Sequence, residues 1–270
     1  MKSSFPKSGK PPAVVLSIAG SDNSCGAGIQ ADLKTISAFG AYGQTAVTCV
    51  VAEVPGRVAA IQAIRPEVVA SQIHMSFEAF PVAAVKTGML YSTAIIRAVA
   101  EALRECGRGI PLVIDPVMVA SSGDPLLKFS AIEAYRRELF PLATVVTPNL
   151  DELRILSGMP CQNLAEIKQA GAFLVERHGC AFLLKGGHLK TSTATDILAT
   201  PGQFETFRAP FRKNAATHGT GCTLSAAIAS GLANGQTLSQ AVADAKSYIT
   251  RAIGQAHRLK ATGALNHFPR

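Results

Sequence analysis

The sequence predicts an α/β fold in which a mostly parallel sheet is covered by helices on both faces. Three observations lead there. Short, largely apolar runs alternate along the chain with stretches of helical periodicity, the runs do not alternate polar with apolar, and several end in Gly-rich or polar turns. Strands buried on both faces read as continuous apolar runs, and a helix crossing between two of them makes a right-handed βαβ unit.

The elements follow in order. Strands are expected at 14–19, 45–52, 83–87, 112–115, 144–147 and 181–185, and helices at 28–39, 66–77, 93–106, 131–139, 150–156, 164–178, 222–233 and 238–259. The stretch 195–207 differs. Pro201-Gly202 divides it into two strand-like halves, which predicts an antiparallel hairpin at a sheet edge. Thr237-Leu-Ser-Gln240 fits a capping box, and Asn234-Gly235 suits a left-handed helix end. Leu238, Val242, Ala245, Ile249, Ala252 and Ala256 then share one face of the final helix.

At 270 residues, with no repeat or long linker, the chain reads as a single domain over 13–270 behind a flexible basic arm at 1–12. A composition 48% hydrophobic and 16% charged excludes a disordered chain. The net charge of +8 is scattered and no basic stripe is interleaved with aromatics. No nucleic-acid partner is therefore expected, and the charge favours anionic small molecules. Six cysteines show no CxxC pair or zinc spacing, which suggests reduced thiols and a cytoplasmic protein. The apolar run 13–20 falls far short of the roughly 20 residues of a membrane span and lacks a cleavage site, so it reads as a buried strand, and no membrane partner is expected.

Open parallel sheets bind ligands beyond the C-terminal ends of their strands, and polar motifs cluster at such ends here. The richest is Lys213-Asn-Ala-Ala-Thr-His-Gly-Thr-Gly-Cys-Thr-Leu-Ser-Ala-Ala227. Gly219 and Gly221 let the backbone turn its N–H groups inward, and a helix N-terminus adds about half a positive charge, which together suit a phosphate. The same field acidifies a thiol at that position, so Cys222 is expected to titrate below its usual value. An ordinary helix start with a buried cysteine is the competing reading.

Gly26-Ala-Gly-Ile-Gln-Ala31 matches a dinucleotide pattern, although the loop from strand to first glycine is long for one. Asp22 and Asp32 bind substrate or serve the helix, with capping the default for Asp22. Asp115-Pro-Val-Met118 aims a carboxylate at the sheet rim. In Thr147-Pro-Asn-Leu-Asp-Glu152, Asn149 and Glu152 make a capping pair or an outer-shell magnesium site. In Leu184-Lys-Gly-Gly-His188, Lys185 contacts a phosphate oxygen or simply ends an edge strand. His74, His178 and His257 read as surface or core histidines in helices. No P-loop, zinc-protease or nucleophile-elbow motif is present.

Read in order, Ala19-Gly-Ser-Asp22, Gly26 to Thr35, Gly40-Ala-Tyr-Gly43, Lys86-Thr-Gly-Met-Leu90, Asp115 to Met118, Ser122-Gly-Asp124, Thr147-Pro-Asn149, Lys185 to His188 and His218-Gly-Thr-Gly-Cys-Thr223 resemble the hydroxymethylpyrimidine/phosphomethylpyrimidine kinases of thiamine biosynthesis. The resemblance covers residues 13–268, with Asn266-His-Phe268 echoing the family's end. It implies a three-layer α/β/α ribokinase-like fold with a mostly parallel central sheet, a homodimer, and phosphorylation of a small-molecule pyrimidine with ATP and Mg2+. It also implies Cys222 as the catalytic base, with Gly219, Thr220 and Gly221 as an anion hole and Lys185 on nucleotide phosphate. Asn149 and Glu152 match a magnesium and phosphate element, and Gly20, Asp32 and Met89 correspond to the pyrimidine pocket. Among the same motifs, His218 is assigned to the nucleotide and Asp115 to the metal.

One departure stands out. Where the family commonly has Gln, this chain has Glu53, which accepts hydrogen bonds but does not donate when ionised. It keeps an aminopyrimidine by accepting from the exocyclic amine and a protonated ring nitrogen, or it selects another ring. Cys25 stands where a smaller residue is usual, which is expected to narrow the first loop. The rival readings are a pyridoxine or pyridoxal kinase of the same superfamily, a dinucleotide-dependent oxidoreductase using the 26–31 loop, and a silent pyrimidine-binding sensor.

Overall fold

The computed structural model describes residues 11–118, 129–186, 193–212, 216–260 and 262–270. The first ten residues of the basic arm, Ser122-Gly-Asp124, Gly187-His188 and Lys213-Asn-Ala215 lie outside them.

A nine-stranded sheet runs in the order β3-β2-β1-β4-β5-β6-β7-β8-β9. Six parallel strands form its centre: β2 (Tyr42–Val54), β1 (Val14–Asp22), β4 (Val82–Thr87), β5 (Leu112–Ile114), β6 (Val145–Val146) and β7 (Ala181–Lys185). Antiparallel strands flank them, β3 (Arg57–Ala63) on one edge and β8 (Thr193–Thr200) with β9 (Gln203–Pro210) on the other. The expected hairpin around Pro201-Gly202 is this β8–β9 pair.

Because strand side chains alternate, β1 sends Leu16 and Ile18 into one core and Val15 into another. The first core is closed by α2 (Pro66–Ala79), α3 (Thr93–Cys106), α5 (Leu150–Ser157) and α6 (Leu164–His178), which contribute Ile73, Ile95, Leu153 and Leu174. On α3 the apolar positions fall on one stripe, and Ser92 caps the helix by accepting from the Ile95 N–H. The second core lies under α1 (Gly28–Ala38), α7 (Thr220–Ala233) and α8 (Leu238–Gly254). α7 is buried almost all round, between the sheet, α1 and α8, which is why it is built of small residues. A Cβ on Gly231 would stand 2.9 Å from Ala241 Cβ, so α8 packs closely against it. The C-terminal tail is tied to the same pair: Thr223 Oγ1 meets His267 Nε2 at 3.2 Å, and the Tyr248 hydroxyl donates to the His267 carbonyl.

Three expectations need correction. The final helix ends at Gly254, and His257–Leu259 is a short strand, β10, paired with β11 (Thr262–Ala264). Ala256 and His257 are therefore not helical; the helical pattern overran a cap in which Gln255 N–H bonds the Arg251 carbonyl. The β3 strand was not expected, although Pro55-Gly56, with Gly56 at φ +83°, marks the turn that creates it. The helix expected at 131–139 starts as α4 (Phe129–Ala134) and widens into a π-turn over Tyr135–Leu139.

Candidate active site

The C-terminal ends of β1, β4, β5 and β7 meet the start of α7 around a cavity of about 520 Å³. All but one of the residues expected to form a site line it: Gly20, Glu53 and Met89; Asp115, Asn149, Glu152 and Lys185; and the run from His218 to Cys222.

Gly219 begins α7 with φ +80°, and no side chain caps the helix. A Cβ there would lie 1.7 Å from the Gly26 carbonyl oxygen, so only glycine lets the two loops touch. The Thr220 N–H is taken by the Thr217 carbonyl at 3.3 Å, while among the described residues no backbone acceptor takes those of Gly221 and Cys222, and no acidic residue in that turn offsets the positive end of the helix. A Cβ on Gly221 would stand 3.2 Å from an Asp115 carboxylate oxygen and 3.3 Å from Lys185 Nζ. The start of α7 thus faces the Lys185–Asp115 pair, whose atoms are 3.0 Å apart. Burial works against the Lys185 charge, but the Asp115 and Glu152 carboxylates outweigh it and hold its pKa above the ordinary lysine value.

Asn149 and Glu152 form the expected capping box at the start of α5. One Glu152 oxygen accepts the Asn149 N–H and the other the Met118 N–H. Burial pushes its pKa up, against the pull of Lys185. Among the described residues no group of three or more His, Cys, Asp and Glu is gathered for a metal ion. Two carboxylates beside a phosphate-sized cradle nevertheless fit magnesium, which uses few protein ligands and keeps its waters.

The thiol corrects an expectation. Cys222 is half-buried, and burial pushes its pKa up to about 11, with Lys86 opposing and Asp32 and Asp115 adding to the rise. Loss of solvation outweighs the field of a half-charge at the helix start. At neutral pH the group is a thiol.

Asp22 is corrected too. The N-cap of α1 is Ala27, without a side-chain cap, and Asp22 instead organises the loop before it. Its carboxylate accepts the N–H groups of Ser24, Gly26 and Ala27, and lies 3.0 Å from His218 Nε2. Those two glycine-loop amides are occupied, so the 26–31 segment offers no pyrophosphate seat. Burial works to raise the Asp22 pKa, but His218, Ser24 and Ala27 outweigh it and hold it well below the usual carboxylate range. The same bond raises the His218 pKa above 6.5. The signs give one window. The raised imidazole stabilises the fold below pH 6.5 and loses this as pH climbs through its folded value; the depressed carboxylate does so above pH 3.8 and loses it as pH falls. In an Asp22→Asn variant the His218 midpoint, followed by NMR, moves down towards 6.5; an unchanged midpoint would contradict the pairing.

Asp32 is the residue that does not reach the cavity. It is fully buried, with both oxygens on Lys86 Nζ and one on the Ser17 hydroxyl. A helix-one carboxylate facing a sheet lysine is taken up by that lysine, so direct substrate contact is replaced by an internal ion pair. Cys25 adopts φ +58° and its carbonyl accepts from Lys34, but it does not line the cavity or narrow it.

Glu53 closes the other side. Its N–H donates to Asn23 Oδ1 at 2.7 Å, and burial, with the like charge of Asp22, raises its carboxyl pKa. Met89 is held by its carbonyl, which accepts from the Thr48 hydroxyl, while a Cβ on Gly20 would stand 2.8 Å from Cys49 Sγ. Sequence reasoning missed the wall made by Lys246, Ile249 and Ile253 of α8 with Pro210 and Arg212. Lys246 pairs with Asp196 at 2.7 Å, a contact no motif marks. His74 pairs with Glu105, and the His178 ring packs edge-on against Phe140.

The phosphomethylpyrimidine kinase family matches residues 22–266. A hydroxymethylpyrimidine/phosphomethylpyrimidine kinase of Rhizobium meliloti is 44% identical over 262 residues, 96% of this chain and 98% of that protein. Phosphomethylpyrimidine kinase from Clostridium difficile superposes with a TM-score of 0.79 at 40% identity, covering 89% of this chain and 99% of that one. An ADP complex of Bacillus subtilis pyridoxal kinase reaches 0.87 at 35% identity, covering 95% and 97%.

Proposed function

The chain belongs to the phosphomethylpyrimidine kinase family, and from that premise we propose that it transfers phosphate from ATP to the hydroxymethyl group of 4-amino-5-hydroxymethyl-2-methylpyrimidine, then to the monophosphate. The observation that carries this reading is the start of α7, where no side chain caps the helix and the Gly221 and Cys222 amides lie at a cavity lined also by Lys185 and Glu53. Phosphoryl transfer passes through a loose transition state, so positioning and neutralised charge do most of the work. The amides of Gly221 and Cys222 with Lys185 hold the migrating group. Asp115 and Glu152 would hold magnesium, which would supply further charge neutralisation. Cys222 receives the alcohol proton late, and Glu53 accepts from the pyrimidine amine. The wall of Ile249, Ile253 and Pro210 gives an apolar seat for the nucleotide base.

Other features extend the reading. The enzyme works as one catalytic domain over 13–270, and the six free cysteines support a cytoplasmic location. Among the described residues no helix is long and apolar enough to cross a membrane. The open β3 edge, with Val58 exposed beside Val50 and Val54 of β2, supports a homodimer.

Likeness to a pyridoxal kinase favours one second reading, in which pyridoxal or pyridoxine is the acceptor. A coupled ADP-release assay separates the two. The pyrimidine and its monophosphate are expected to give a kcat/KM at least about tenfold above pyridoxine or pyridoxal, a difference of roughly 1.4 kcal/mol in transition-state binding. The reverse order would make the chain a pyridoxal kinase.

A further inference from the structure

Asp196 stands directly opposite Lys185. The two are partners in the antiparallel β7–β8 register, and strand alternation puts both on the sheet face of Leu183 and Leu198, towards α7 and α8. Side chains of opposite charge at such positions attract each other across about 5 Å. The Lys185 ammonium nevertheless lies on Asp115, at 3.0 Å, and not on Asp196.

The Asp196 carboxylate is engaged elsewhere. One oxygen accepts the Gly186 N–H at 3.1 Å, and the other accepts from Lys246 Nζ at 2.7 Å. The two side chains are 7% and 12% exposed, and both residues line the cavity. A carboxylate so far from water requires a cation, and α8 supplies it. Lys246 belongs to the helix face that walls the cavity, since Ile249, Thr250 and Ile253 follow it there at helical spacing. Replacing such a pair by apolar residues is often neutral or stabilising, so fold stability alone does not account for it.

The backbone at Lys185 is held on both sides. Its own N–H donates to the Pro148 carbonyl at 3.0 Å, and the next N–H, of Gly186, is the one on Asp196. Only the side chain has a choice of direction. One carboxylate within its reach is Asp196; the other is Asp115, beside the start of α7, where a Cβ on Gly221 would stand 3.3 Å from the Lys185 Nζ.

We propose that Lys246 is a positioning residue for the transfer: by engaging the Asp196 carboxylate, it leaves the Lys185 ammonium at the start of α7 to meet a nucleotide phosphate. This rests on Lys185 serving the phosphate, so the test reads nucleotide binding as well as turnover.

The full-length protein is compared with its Lys246→Met, Lys246→Arg, Asp196→Asn and Lys246→Met/Asp196→Asn variants. Calorimetry gives the dissociation constant for ADP. Assays of ADP release give kcat/KM for ATP and KM for the pyrimidine, beside circular dichroism. In Lys246→Met the unengaged carboxylate draws Lys185 away, and both ADP affinity and kcat/KM for ATP fall about tenfold. KM for the pyrimidine changes by less than about twofold. Lys246→Arg stays near wild type, as does Asp196→Asn, whose amide oxygen still accepts the Gly186 N–H. The double variant recovers to within about threefold of wild type, because no carboxylate remains to capture Lys185. A merely structural pair gives no such rescue, so a double variant no better than Lys246→Met overturns the proposal. A folded Lys246→Met protein with wild-type ADP affinity does so too. Should Lys246→Met fail to fold, Lys246→Gln and its double with Asp196→Asn decide by the same two criteria. Absence of phosphorylation of either ring by the wild type would sink the kinase reading, while the ADP affinities still decide the role of Lys246. A wild type that binds no ADP overturns both.

Discussion

Cys222→Ala lowers turnover by roughly two to four decades, the usual scale for a lost general base, with little change in KM for ATP. The sulfur lies among the α7 amides that would hold the migrating phosphate, and no second thiol lines the cavity. Since burial lifts the thiol pKa to about 11, its thiolate fraction grows about tenfold per pH unit through the neutral range. Wild-type kcat therefore climbs from pH 7 to pH 9, and this slope disappears in the alanine variant. Cys222→Asp restores part of the activity and flattens the profile, because a carboxylate is already ionised. Steady-state assays across that range check all three statements. Alanine-variant turnover near the wild-type level would remove the base assignment.

Gly219→Ala is expected to cost at least about two decades of kcat/KM, as misplacement of a catalytic group by an ångström does. Two physical terms add. The left-handed φ of +80° costs an L-residue roughly 1–2 kcal/mol, and the new methyl would lie 1.7 Å from the Gly26 carbonyl oxygen. Relief of that clash forces the 26–27 loop outwards, and with it the Asp22–His218 contact. Gly40→Ala is the control, since Gly40 has φ +70° with nothing within 4 Å of a Cβ. It shares the strain without the clash, so it loses thermal stability and keeps kcat/KM. Equal activity in the two variants would show that backbone strain, and not loop contact, governs the site.

Much of this was legible along the chain because the signals are local. Thr237 with Gln240 and Asn149 with Glu152 announce their capping boxes within four residues, and both are formed. The largely apolar runs at 14–19 and 181–185 declare strands with two covered faces, and the core accepts them as such. The glycines at 219 and 221 mark a helix start open to an anion. Where a pattern continued past its own stop, as beyond Gly254, periodicity had nothing to oppose it until the chain turned back as β10 and β11.

The site's chemistry was less legible for a different reason. A pKa depends on what lies across the fold, and Cys222 is acted on by Lys86, Asp32 and Asp115 from three other elements. From motif alone the helix field lowers the thiol; only the packing reveals that lost solvation is the larger effect. Asp32 looked free to bind a ligand until β4 brought Lys86 to it across fifty-four positions. The α8 wall of the cavity has no motif at all, since Ile249 and Ile253 read as helix face. Periodicity, caps and glycine placement therefore established the layered fold and the glycine-led start of α7, because each is written within a few consecutive residues. Proton affinities, the inner ion pair and the cavity wall waited on tertiary structure, because solvation and Coulomb energy are set by neighbours in space, not along the chain.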